Sequence, residues 1–353
     1  VPNLYGKSWD RASLLRRIGS IRQIGGAQPV VLDDGPERGV RAIEVRTGTG
    51  FCFTVLPDRG MDVWRAEFRG ASLCWHSPTG PIAPAYFEPA GLGWLRGFAG
   101  GMLVTCGLTY LGAPTRDEGK DLGLHGRASY TPAAQVGIHE DWKGDEYHIV
   151  IHGQVREAAV FGENVVLSRK IRTSLGENAF RLEDEVENAG HEPVPHTILY
   201  HVNAGFPLVD EGAELLTPRG KVTPLDAEAA REPDGWARFE PPAAGTKERC
   251  YAHAFGGERA AVALVNRARG LGYALRWKTA QLPCFTEWKM TGAGIYVVGT
   301  EPGNVVPAPR DKMRAEGRLP LLAPGERRRT ELEFAVLASA DEIRAAEDEI
   351  RRA

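Results

Sequence analysis

The chain has 353 residues, of which 43 are basic and 46 acidic, a net charge of −3. That balance leaves no electrostatic footprint for a polyanion, which argues against nucleic acid as a partner. A charged fraction of 25% with 42% apolar residues excludes wholesale disorder. Glycine is the outlier: 42 of 353 residues, about 12% against a usual ~7%. A globular chain this rich in turn formers implies many short strands joined by tight connections.

No apolar run nears the ~18 residues of a membrane span. The longest, Ala260 to Val265, has strand character. The opening Val1-Pro2-Asn3-Leu4-Tyr5 lacks the charged-then-apolar pattern of a secretory leader. The five cysteines (Cys52, Cys74, Cys106, Cys250, Cys284) are odd in number and without zinc-knuckle or redox spacing. They read as buried, reduced thiols, which points to a cytoplasmic protein. Cys106, in Val104-Thr105-Cys106-Gly107, is the one nucleophile candidate, and a packing role is the stronger reading.

Residues 8–18 predict a short helix with Ser8 as cap and Gly19 as stop. Strand patterns follow at 30–32, 40–46, 51–56, 61–68 and 72–75, separated by Gly-rich turns. Residues 77–124 change character: they are dense in Gly and Pro and carry Trp94 and Arg96, as binding-site loops do. Strand rhythm returns at 146–154, 165–173, 180–188 and 196–203. A loop-rich stretch covers 210–250. Further strands are predicted at 260–266, 272–277, 284–290, 295–301 and 329–337. Ile343, Ala346 and Ile350 have helical spacing, so 340–352 predicts a surface helix. No linker splits the chain, so 1–353 reads as a single domain. Many strands without alternating helices predict an all-β antiparallel sandwich or barrel with short terminal helices.

Common cofactor motifs are missing. Gly91-Leu92-Gly93-Trp94-Leu95-Arg96-Gly97 is not a dinucleotide fingerprint, and neither a Walker loop nor Gly-x-Ser-x-Gly occurs. His148 and His152 share a strand face with nothing to complete a metal set, and an exposed face is the simpler reading. Three acid/base candidates have more pointed settings. His125 sits in Leu124-His125-Gly126, where glycine opens the backbone to close approach. In Tyr200-His201-Val202-Asn203, alternation places His201 and Asn203 on one face. Glu301 ends the apolar strand 295–300, where burial shifts a carboxyl pKa. A structural role competes with a functional one for each.

These settings, in the order Arg96-Gly97, Leu124-His125-Gly126, Tyr200-His201-Val202-Asn203 and Glu301-Pro302, resemble the aldose 1-epimerase (galactose mutarotase-like) superfamily, which includes a hexose-6-phosphate 1-epimerase branch. Leu56-Pro57-Asp58-Arg59-Gly60-Met61-Asp62, Val104-Thr105-Cys106-Gly107-Leu108, Trp288-Lys289 and Leu322-Ala323-Pro324-Gly325-Glu326 mark an uncharacterised branch of it. The resemblance implies a β-supersandwich of two large antiparallel sheets with a carbohydrate site on the concave face. It implies an isomerase in which His201 protonates the ring oxygen, Glu301 takes the anomeric hydroxyl proton, and His125 and Arg96 contact the sugar. Asn203 stands two residues after His201, where the mutarotase pattern has its asparagine four after, and Val202 replaces an aromatic. Trp75, Trp94 and Trp288 could stack on a sugar face. Arg59, Arg96 and Lys289 are the cations expected to favour an acidic or strongly polar substituent. The implied partner is a small carbohydrate, with no cofactor, resident metal, nucleic acid or membrane; a homo-oligomer is left open. Two rival readings are an isomerase working through an enediolate, with a divalent metal held by His76, His125, His201 or Glu301, and a non-catalytic carbohydrate-binding protein.

Overall fold

A computed structural model describes all residues 1–353. Strand makes up 47% of the chain and helix 13%, as the turn-rich composition requires. An eight-stranded antiparallel sheet runs, in spatial order, Ala134–Lys143, Glu146–Ala158, Asn164–Ser174, Ala179–Asn188, Arg327–Leu337, Leu271–Lys278, Arg259–Asn266 and Glu214–Leu216. A six-stranded sheet runs Gly220–Pro224, Arg249–Phe255, Cys284–Gly292, Ile295–Gly303, Thr197–Gly205 and Val104–Leu108. A five-stranded meander covers Gly26–Val31 to Ala71–Ser72 and joins the six-stranded sheet where Val63 pairs with Leu103. The expected two large layers are therefore present, one of them in two parts.

Aromatic rings fill the space between the layers. Phe53 meets Phe180 at 5.1 Å, and Phe285 stacks on Trp277 at 5.7 Å. Arg169 lies in the same interior without solvent exposure of its side chain. It donates to both oxygens of Asp184, at 2.9 and 2.7 Å, and to Asp62 Oδ1 at 3.1 Å. Asp184 also accepts from Tyr200 Oη at 2.8 Å, and Asp62 from Thr105 Oγ1 at 2.6 Å. Removing one member of such a buried pair typically costs about 3–5 kcal/mol, because the partner charge is stranded.

Most predicted strands occur, several lengthened at their ends; 40–46 and 61–68 each begin one residue later, and 72–75 shrinks to Ala71–Ser72. The N-terminal helix is shorter than expected, Arg11–Leu15, and Asp10 caps it, accepting from the Ser13 amide at 2.7 Å. Ser8 instead pairs with Asn3 in a small hairpin. The predicted loop 77–124 contains a fully buried strand, Val104–Leu108, whose flanking glycines disguise it. The C-terminal helix is Ala340–Arg352, capped by Ser339; Ile343, Ala346 and Ile350 pack on Ala261, Ala263 and Ala274 of the eight-stranded sheet. The cysteines are all free; Cys74 and Cys106 are buried and the other three partly covered. His148 and His152 lie together on the outer side of their strand. No helix is long and apolar enough to cross a membrane.

Burial of His196 pushes its pKa down to about 4. The folded chain thus refuses a proton that the unfolded chain accepts below ~6.5. Stability held by this group is present above that value and is lost as pH falls toward 4. We expect the destabilisation caused by His196→Asn, measured by urea unfolding, to shrink by on the order of 2 kcal/mol between pH 7 and pH 5. A pH-independent difference would show that His196 takes up a proton as readily in the fold as in the unfolded chain.

Candidate active site

The strand Thr197–Gly205 is buried at all nine positions. Alternation sends Tyr200 and Val202 into the inter-sheet core and His201 and Asn203 to the opposite face, under the Gly-rich loops. Its antiparallel neighbour Ile295–Gly303 sets Thr300 opposite Val202 and Gly299 opposite Asn203. The same register puts Glu301 across from His201. The side chains meet: His201 Nε2 lies 3.0 Å from Glu301 Oε1, with 7% and 4% of the side chains exposed. The contact lacks the alignment of a hydrogen bond, and Glu301 Oε1 and His201 Nδ1 are both without a partner.

Gly299 makes room for this meeting. A Cβ there would lie 2.3 Å from Glu301 Oε1 and 3.0 Å from His201 Cε1. On the next strand, Thr286 stands opposite Glu301 and Trp288 opposite Gly299. The Thr286 hydroxyl is also unpartnered. The Trp288 ring lies 5.4 Å from the His201 ring, and its Nε1 donates to Glu248 at 2.8 Å.

The loops close the other side. His125 adopts φ 55°, which brings its backbone against the edge strand: Gly107 N donates to His125 O, and His125 N to Gly112 O, each at 3.0 Å. Gly126 follows at φ 76°, where a Cβ would strike the carbonyls of Tyr110 and Gly107. The turn conformation explains the His-Gly pair, and it leaves the His125 ring 6.1 Å from that of His201 with Nδ1 unpartnered. Trp94 and Phe98 stack at 4.5 Å; Trp94 meets His125 at 4.9 Å and Phe98 meets His201 at 5.4 Å. Asn203 uses its Nδ2 internally, donating to Gly101 O at 3.0 Å and His201 O at 2.9 Å, while Oδ1 is unpartnered. It ties the glycine loop to the strand and keeps one acceptor free.

The expected cations are engaged elsewhere. Lys289 lies on the opposite side of its strand from Trp288, as alternation dictates, and donates to Gly235 O, Arg238 O and Glu240. Arg59 is buried and gives its donors to the carbonyls of Ser129, Ile82 and Gly97. Arg96 is exposed and paired with Glu88 at 2.9 Å. The reading of Arg59 and Lys289 as substrate-contacting cations is therefore corrected: Lys289 spends all three of its donors on protein oxygens, and Arg59 is turned by each of its three nitrogens toward a backbone carbonyl.

Burial dominates the electrostatics. It pushes His201 down to about 3, helped by neighbouring His125. It pushes His125 down to about 4. It holds Glu301 well above the usual carboxylate range, and the negative charges of Glu287 and Glu248 add to that. Both shifts favour the neutral pair, with its proton on Glu301, over the ion pair that a His201 acid and Glu301 base would need.

Other surface grooves exist, but they lack this convergence. One of about 830 Å³ is lined by Arg181, Arg276, Lys278, Glu331 and Glu333, which pair with one another across the exposed side of the eight-stranded sheet. His76 faces a different groove with Trp64 and Thr79. No three His, Cys, Asp or Glu side chains gather in a metal-holding arrangement. Gly299, Thr286 and Phe98 escaped the sequence reading. Alternation with Trp288 carried the signal for Thr286, whereas Gly299 and Phe98 become visible only through cross-strand register and loop packing.

Solved structures share this architecture. A Klebsiella pneumoniae protein described as a "putative aldose 1-epimerase" is 28% identical, with a TM-score of 0.87 over 98% of this chain and 94% of that one. The galactose 1-epimerase of Lactobacillus acidophilus is 13% identical, with a TM-score of 0.57 over 89% of this chain and 99% of that one. A galactose mutarotase-like protein from Clostridium acetobutylicum is 11% identical, with a TM-score of 0.60 over 89% and 99% of the respective chains. The last two establish likeness of fold alone. No functionally curated protein matches the sequence. Residues 37–336 match the family described as a domain of unknown function, DUF4432, and the chain belongs to that family.

Proposed function

We propose that this protein is a mutarotase of the aldose 1-epimerase kind, interconverting the anomers of an uncharged aldose with His201 as general acid and Glu301 as general base. The observation that carries this reading is the meeting of two buried, incompletely hydrogen-bonded titratable groups beneath a wall of aromatic rings. Opening a pyranose requires a proton to leave O1 and another to reach O5, and both oxygens are bonded to the same carbon. Two side chains in contact can address both.

Burial favours the proton on Glu301, so the charged form must be reached during binding. Sugar hydroxyls that donate to Glu301 Oε1 favour the carboxylate, and an acceptor at His201 Nδ1 favours the imidazolium. The proton then crosses the 3.0 Å contact from Glu301 to His201. Glu301 takes the O1 proton as the C1–O5 bond breaks, and His201 gives its proton to O5. Rotation about C1–C2 and closure by the reverse transfers deliver the other anomer. Protons are conserved over the cycle, and the protein ends as it began.

The engaged states of Arg59, Arg96 and Lys289 favour an uncharged sugar over a phosphorylated or acidic one. Glu248, which accepts from Trp288 Nε1 at 2.8 Å, points the same way. Trp288 and Trp75, whose rings lie 6.5 Å apart and are each partly exposed, are placed to meet an apolar sugar face.

Polarimetry of freshly dissolved single anomers across a panel of neutral aldoses tests the proposal. At least one should equilibrate faster with protein than in buffer, and acceleration confined to sugar phosphates would overturn the substrate assignment. Glu301→Gln and His201→Asn should each slow the responsive sugar by about 10²–10⁴, the usual cost of losing general acid or base catalysis. Their effects should not multiply, because the pair acts as a unit. Near-normal turnover in Glu301→Gln would remove the base from the account.

Gly299→Ala probes the same space from the backbone. Position 299 has no left-handed backbone to strain, so the added methyl acts through crowding of Glu301 and His201 alone. We expect a folded protein with turnover reduced by about 10²-fold or more, since small misplacements of reacting groups cost that much. An unchanged rate would mean that the reaction occurs elsewhere.

A further inference from the structure

The segment Leu56 to Asp62 contains Arg59, which nothing in the proposed proton transfers uses. Its guanidinium is 4% exposed and has no carboxylate within ion-pairing distance. Its Nε donates to Ser129 O at 2.7 Å, Nη1 to Ile82 O at 2.9 Å and Nη2 to Gly97 O at 2.9 Å. The Tyr130 ring lies 4.2 Å beneath it. A buried cation without an adjacent anion is costly unless its donors are satisfied. Only arginine has planar donors spread widely enough to satisfy three separate carbonyls at once.

Those carbonyls belong to three different segments, and two of them, those of Gly97 and Ser129, touch the rings around His201 and His125. Gly97 precedes Phe98, which touches the His201 ring. Ser129 Oγ accepts from Trp94 Nε1 at 3.2 Å, and Tyr130 Oη donates to Trp94 O at 2.5 Å. Trp94 in turn packs on His125. Gly97 has no side chain because a Cβ would strike Ile82 and Tyr130. His201 and Glu301 are held by the sheet and do not depend on these contacts.

We propose that Arg59 is a positioning residue that gathers the loops around Ile82, Gly97 and Ser129, setting Trp94, Phe98 and His125 as the substrate-facing wall of the cleft. The inference rests on the mutarotase reading for what the wall binds, but the wall's geometry can be tested without a sugar. Arg59 acts on binding and orientation, and the proton-transfer pair stays in place when it is lost.

The test uses Arg59→Lys, which keeps the charge and loses the three-way fork, and Tyr130→Phe, which breaks the next link without uncovering a charge. For the aldose that responds to the wild type, KM in Arg59→Lys should rise about tenfold or more while kcat changes by less than about threefold, the signature of lost binding rather than lost chemistry. Tyr130→Phe should shift KM in the same direction by less. In the absence of sugar, the NMR titration of His125 should move toward an ordinary histidine value in both variants. If Arg59→Lys does not fold, the Tyr130→Phe result decides. Equal losses in kcat and kcat/KM, or an unmoved His125 titration in a folded variant, would reduce Arg59 to a strut of the fold. If the wild type accelerates no aldose, the mutarotase reading fails, whereas the His125 titration still tests the positioning role.

Discussion

A strand buried on both faces must find two different environments for alternating side chains, and the strand Thr197–Gly205 organises the molecule by doing so. Its inward residue Tyr200 bonds Asp184, which holds Arg169, which holds Asp62. Its outward residue His201 meets Glu301. Thr105, the cross-strand partner of Tyr200, bonds Asp62 from the neighbouring strand. The core network therefore fixes the strand that carries His201, so the proposed acid/base pair is placed by a packed sheet. Sites held on rigid elements keep their geometry better than sites held on loops.

The loops contribute the opposite property. They bring aromatic area and a second imidazole to the cleft through a few backbone bonds, chiefly those made by His125, Asn203 and Arg59. Burial under this wall favours neutral forms of His201 and Glu301. A neutral pair with missing hydrogen-bond partners is poised: the charged form becomes accessible when a ligand supplies those partners. The cost of burying polar atoms without partners is a few kcal/mol each, and a polyhydroxylated ligand is chemically suited to recover it.

Much of this was legible in the chain. Turn density and strand rhythm give the all-β class, because tight connections demand glycine and sheets demand alternation. The same alternation places His201 beside Asn203. It also separates Trp288 from Lys289, a consequence that undoes the expectation of Lys289 in the cleft. What sequence does not carry is cross-strand register. Glu301 meets His201 because Val202 faces Thr300, and Gly299 matters because the register puts it between them. Nor does sequence tell whether a cation faces ligand or carbonyl oxygen: Arg59 and Arg96 sit in similar glycine-rich settings, yet one is buried among three carbonyls and the other is at the surface. The buried strand Val104–Leu108 escaped notice because glycines on both sides imitate a loop.

The central claim is that this pocket moves protons between oxygen atoms and leaves the carbon-bound hydrogens alone. Proton NMR of a responsive aldose in heavy water, with the anomeric and C2-bound hydrogens followed together, addresses it directly. The account predicts that the two anomeric signals equilibrate under the protein's influence while the C2 hydrogen signal keeps its full intensity. Loss of the C2 signal would show an enediolate and contradict the account. So would anomers that equilibrate no faster than in buffer.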